Sequence, residues 1–99
     1  MNQFKYIFLN EHGTKFEGPT GPKCSLRVMI DVPSPKDASA VISHLNSPTF
    51  RAELEGLKPQ LGLSNYGMDV GRLIPHSEEI NGQRVPVRYE REIKLTRSI

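Results

Sequence analysis

The sequence predicts an α+β domain: a small antiparallel or mixed sheet of about four strands, with two short helices on one face, in the order ββααββ. Three observations carry this prediction. Cys24, Leu26, Val28, Ile30 and Val32 alternate with Ser25, Arg27, Met29 and Asp31, the period of two expected of a strand with one buried face. Just beyond Pro33 the period changes, and Ala38, Val41, Ile42 and Leu45 recur at helical spacing. Near the C-terminus, Asn81-Gly82 separates two strand-like runs, the strongest short-range signal for a hairpin. Helices with one apolar stripe and strands with one apolar face are satisfied together by a single core between two layers.

The first strand is expected over Phe4–Leu9, which is rich in aromatic and β-branched residues. Glu11-His12-Gly13 supplies a tight turn, leaving Thr14–Glu17 as a short paired piece. Gly18-Pro19-Thr20-Gly21-Pro22 follows as a stiff loop, because both prolines fix φ and restrict the residue before them. The second strand occupies 23–32. Helix one, at about 35–46, has Ser34 as its N-cap, Pro35 in the first turn and Asp37 at the positive end of the dipole. Ser47-Pro48 starts helix two by the same device, with Phe50, Leu54, Leu57 and Leu61 on one stripe. Gly56 and Pro59 argue for a stop near Leu57. Residues 63–67 read as a loop and 68–74 as a weak strand interrupted by Gly71. The last strand, about 84–97, carries Pro86 and an Arg91 that falls on the apolar phase, which suggests an edge strand, a bulge or both.

Ninety-nine residues accommodate one domain, spanning 1–99. One cysteine excludes an internal disulfide and favours a reducing compartment. The apolar run Tyr6–Leu9 is too short for a signal-peptide core, and no stretch approaches the about 20 apolar residues of a membrane span. A cytoplasmic protein with no membrane partner is expected. Charge is unevenly placed: residues 84–99 hold five basic and two acidic groups, or +3, while the other 83 residues, with eight basic and nine acidic, carry −1.

Motifs for chemistry fail on inspection. The loop Gly18–Ser25 superficially resembles a phosphate cradle, but its spacing is wrong, it precedes a strand, and two prolines remove backbone donors. Cys24 shares its strand face with Leu26, Val28 and Ile30, so it reads as a small core hydrophobe rather than a nucleophile. His12, His44 and His76 are scattered, with no spacing typical of zinc ligands. Asp31, Asp37 and Asp69 offer no sign of the burial that a paired-carboxylate mechanism needs. No catalytic residue, metal or cofactor is assigned, and the chain is read as a non-enzyme.

Three roles follow in order of preference. The first is a protein-interaction module, a regulator or inhibitor of a larger assembly, by analogy with small accessory proteins of phages and mobile elements. Its partner would be another protein or a second copy of the chain, engaged by strand addition along the C-terminal strand. The residues expected to touch that partner are Arg84, Arg88, Arg91, Lys94 and Arg97, with Tyr89, and Pro19 and Thr20 of the stiff loop. The second is nucleic-acid binding by the same basic strand, against which stand Glu90 and Glu92 and the low total charge. The third is a small oligomeric enzyme, supported by fold-level analogy alone.

Overall fold

The computed structural model describes residues 4–98. Strand β1 (Ile7–Leu9) and strand β2 (Lys23–Asp31) are followed by a single 3-10 turn (Pro35–Asp37), helix α1 (Ala38–Leu45), helix α2 (Pro48–Leu61), strand β3 (Tyr66–Ile80) and strand β4 (Gln83–Arg97). The strands form one sheet in the order β1-β2-β4-β3, antiparallel throughout. The α+β order ββααββ is therefore the observed one, with an antiparallel sheet.

Residues directly opposed on neighbouring strands share a face. Leu26, Val28 and Ile30 of β2 face Ile93, Arg91 and Tyr89 of β4, and on the far side Met68 and Val70 of β3 face Leu95 and Ile93. These apolar residues meet Val41 and Leu45 of α1 and Phe50 and Leu54 of α2 in one buried cluster. Cys24 packs at its margin as a free thiol, as the strand phase requires. The opposite face, with Arg27, Met29, Asp31, Arg88, Glu90, Glu92 and Lys94, has no helix on it.

Helix α2 begins where expected and ends later, whereas the segment expected to open helix one is the 3-10 turn, α1 itself starts three residues on at Ala38, and the Ser34 side chain makes no capping hydrogen bond. The Ser47 hydroxyl accepts from the Phe50 amide, and Pro48 occupies the first turn. Helix α2 runs through Pro59 to Leu61, four residues beyond the expected stop. Placed in the last turn, Pro59 interrupts little ladder that would have continued. Gly62 then takes φ +73 and the Leu63 amide closes onto the Lys58 carbonyl at 2.8 Å.

The sheet differs from expectation in three places. β1 is shorter, although Lys15 and Phe16 do pair back onto Leu9 and Phe8. β3 is twice as long as the weak strand expected, because Gly71-Arg72 form a bulge opposite Glu92 and invert the apolar phase: Met68 and Val70 face the helices before it, Leu73 after it. β4 is an interior strand over 88–96, paired on both sides, and not an edge. Arg91 falls on the apolar phase because it reaches the end of α1, where it donates to Asn46 Oδ1 at 2.9 Å.

A β-carbon at Gly71 would stand 3.1 Å from the Glu92 carbonyl oxygen, which is backbone and cannot swing away. Gly71→Ala is expected to destabilise the fold by about 1–2 kcal/mol, read as a lowered thermal midpoint. An unchanged midpoint would mean that the bulge does not hold the two strands this closely.

Candidate functional site

Three features outside the core are candidates to engage another molecule, and each includes part of the β3–β4 hairpin. The first is its distal arm. β2 ends opposite Arg88, and the last tie to that side is the Val32 amide bonding the Val87 carbonyl at 2.9 Å. Beyond this point Ser77–Ile80 pairs only with Gln83–Pro86, through a turn in which Asn81 (φ 51) and Gly82 (φ 78) both take left-handed backbone. That conformation suits a two-residue hairpin and explains the Asn-Gly pair. All of residues 77–84 are exposed, Ile80 being the one large apolar side chain left in solvent among the described residues. The arm helps to give the molecule its long dimension of 50 Å against 30 and 19 Å.

The second feature is an ionic network on the uncovered face. Glu90 is 2% exposed although no helix lies over it. Arg27 covers it, donating from Nε to Oε2 at 2.8 Å and from Nη2 to Oε1 at 2.7 Å, and His76 Nε2 lies 2.9 Å from Oε1. The bidentate Arg27 fork, helped by His76, holds the Glu90 carboxyl below the usual carboxylate range despite burial, which acts the other way. Arg72 and Glu92 pair at 3.7 Å beside them, and a cleft of about 270 Å³ lies over the group. With both oxygens occupied and its charge held, Glu90 is a poor proton acceptor, and this cleft reads as a structural network.

The third feature is a cleft of about 540 Å³ at the base of the hairpin, the end opposite the arm. The stiff loop forms one wall through Pro19, Thr20 and Gly21. The turn after α2 forms another through Gly62, Ser64 and Asn65, and Arg97 closes the third. The Tyr66 hydroxyl donates to the Gly21 carbonyl at 2.6 Å and the Arg97 amide to the Pro22 carbonyl at 2.8 Å, tying loop and sheet together.

The expected contact residues are thus dispersed. Pro19, Thr20 and Arg97 come together in the basal cleft. Arg84 stands on the arm opposite Glu79. Arg88 lies on the uncovered face, donating to Asp31 at 3.0 Å, and Lys94 is exposed farther along that face. Arg91 projects to the helix side, and Tyr89 is 8% exposed in the core, so neither joins a surface with the rest. The strand's two-residue period divides its cations between opposite faces.

Sequence inspection singled out none of Ser64, Asn65 and the pair Arg27–Glu90. The first two sit in a turn with no motif, and the pair spans 63 positions. A carboxylate set between two arginines in a strand was the one available hint of the latter.

Tyr6 ties β1's approach to both helices. Its hydroxyl donates to Glu53 and lies 2.6 Å from His44 Nε2, whose ring stacks on Phe4 at 4.3 Å. Burial first, then Glu53, pushes the Tyr6 phenol well above its ordinary range, so it stays protonated and acts as a structural donor. Among the described residues no group of three His, Cys, Asp or Glu is placed to hold a metal ion, and no helix is long and apolar enough to cross a membrane. Compared with protein-family models, curated proteins and solved structures, the chain matches none.

Proposed function

We propose that the chain is a small, non-enzymatic protein-interaction module, a regulator or inhibitor of a larger assembly, which engages another protein or a second copy of itself through the hairpin arm. The arm is the observation that carries this role. Residues 77–86 pair only with each other and extend past the rest of the sheet, and 77–84 are exposed throughout. An isolated two-stranded ribbon is marginal in water, so burial against a partner is where such an arm gains most. Its charges are mixed, with Glu78 and Glu79 beside Arg84, which suits a polar rim around Ile80. A cytoplasmic location fits the lone free thiol of Cys24.

Nucleic-acid binding is less well supported, because the basic residues of β4 form no one-sided strip and Arg88 is paired with an aspartate. Both roles are tested by one comparison. The tagged chain and a variant with residues 78–85 replaced by a shorter Asn-Gly turn are used to capture partners from native lysate, with and without nuclease, and weighed by light scattering. The interaction role predicts a specific protein, or a doubled molar mass, that survives nuclease and is lost with the arm. A monomer that retains nothing specific defeats it, and capture abolished by nuclease transfers the role to nucleic acid.

A further inference from the structure

We propose that the basal cleft is a binding site for a small organic anion, a carboxylate or a phosphate monoester, held by the Arg97 guanidinium. This is independent of the arm, which lies at the other end of the hairpin.

Charge is the first support. Among the described residues, Arg97 is the only charged one lining the cleft. Other arginines of the chain are engaged: Arg27 with Glu90, Arg72 with Glu92, Arg88 with Asp31, Arg91 with Asn46, and Arg51 with the Met68 carbonyl. Arg84 stands opposite Glu79 on the convex arm. Among the described residues, Arg97 makes no ion pair, and it alone of these arginines lies in a concave setting without an acidic neighbour. A guanidinium presents paired N–H donors that match two oxygens of a carboxylate or phosphate.

The remaining lining suits the same ligand. Thr20 and Ser64 bring hydroxyls and Asn65 an amide, donors able to complete the coordination of an oxyanion. Pro19 and the Tyr66 ring add apolar wall. The volume falls within the range of small-molecule sites and far exceeds one phosphate ion, which points to an organic anion with its charged end at Arg97. The C-terminal end of α2 would oppose an anion, but the amides of Gly62 and Leu63 already close onto the Pro59 and Lys58 carbonyls.

The walls are also set before any ligand arrives. Besides the Tyr66–Gly21 and Arg97–Pro22 bonds, the Ser98 amide and hydroxyl both reach the Asn65 carbonyl, at 2.8 and 3.2 Å. A site held this way loses little conformational freedom on binding.

The test is a titration of the ¹⁵N-labelled full chain with phenyl phosphate and, separately, with phenylacetate, against sodium chloride at matched ionic strength. Saturable shifts are expected at the amides of Thr20, Gly21, Ser64 and Asn65, with a dissociation constant of about a millimolar. Arg97→Gln should weaken binding about tenfold or more, while Arg84→Gln leaves it unchanged. The exposed Arg97 side chain makes the variant's fold easy to verify in the same spectra, and Thr20→Val supplies a second, uncharged probe expected to weaken binding less. Response to one anion alone assigns the site to that chemistry. Shifts that do not saturate, that sodium chloride reproduces, or that persist in Arg97→Gln overturn the proposal.

Discussion

Replacing Arg27 by Met is expected to cost about 3 kcal/mol, a fall of roughly 12–24 °C in the melting temperature of a chain this size. Methionine keeps much of the apolar stem that lies across the sheet, so the loss isolates the charge. It leaves Glu90, with a side chain only 3% exposed, to the single contact with His76. Removing one partner of a buried pair is worse than never having had the pair, because the survivor cannot recover its hydration. Exposed ion pairs such as Arg88–Asp31 should contribute well under about 1 kcal/mol by comparison.

The pH dependence follows from the direction of the Glu90 shift. Its folded pKa is lowered, chiefly by the Arg27 hydrogen bonds, so its stabilisation is fully present above the unfolded carboxylate range. It is lost as pH falls through the lower folded value. In Arg27→Met that cause is gone while burial still raises the pKa. The deficit of the variant should therefore be largest near neutral pH and shrink in acid, as Glu90 takes up a proton in the variant before it does in the parent protein. Urea unfolding at about pH 7 and about pH 3 reads this directly; a deficit equal at both would show that the charge of Glu90 is not what Arg27 holds.

Phe50→Ala is expected to cost about 3–5 kcal/mol, a large part of the about 5–15 kcal/mol that holds a domain of this kind together. Phe50 is 1% exposed and first among the fully buried side chains by volume. Its ring lies 5.8 Å from that of Tyr6 and 5.9 Å from that of His44, so it joins the first turn of α2 to α1 and to the chain entering β1. The cavity would open where three elements meet and where the backbone is already pinned by Ser47, which limits collapse. Denaturant midpoints measure the loss, and the near-ultraviolet dichroism of the aromatic group should weaken with it. A loss under about 1 kcal/mol would mean that α2 is not seated on the sheet through this ring.

What could be read from the sequence was local. The strand at 23–32 and the start of α2 rest on periodicity and capping within one segment, and each appears where the residues place it; the Ser34-Pro35 signal opens a 3-10 turn instead, and α1 starts at Ala38. The hairpin turn was legible for the same reason, since Asn81 and Gly82 alone accept its backbone. β3 was obscured because a bulge breaks the alternation that identifies a strand, so Met68, Val70 and Leu73 do not look like one face. The interior position of β4 depends on β2, whose paired residues lie 57 to 73 positions away, and no feature within 84–97 reveals it. The contact residues illustrate the same limit. Pro19, Thr20 and Arg97 could be named singly, but their meeting beside Ser64 and Asn65 is a product of the closed sheet.

The hairpin contains a second bulge that offsets the first. Gly71-Arg72 add one residue to β3, and Val87 adds one to β4 between the pairs His76–Arg88 and Ser77–Pro86. The two insertions cancel, so Tyr66–Val70 and Ser77–Ile80 follow the same pairing rule, and only the interval between is displaced by one. A hairpin lacking both bulges would keep this turn and these outer pairs, yet it would set Arg72 against Arg91, carry Leu73 opposite Glu90 and take His76 away from it. Two ladders thus share both ends, and in the middle the native one keeps Arg72 and Arg91 apart, brings His76 to Glu90 and turns Leu73 toward the helices. The bulged register thus serves both faces of the hairpin at once, seating Leu73 against the core on one side and completing the ionic network on the other.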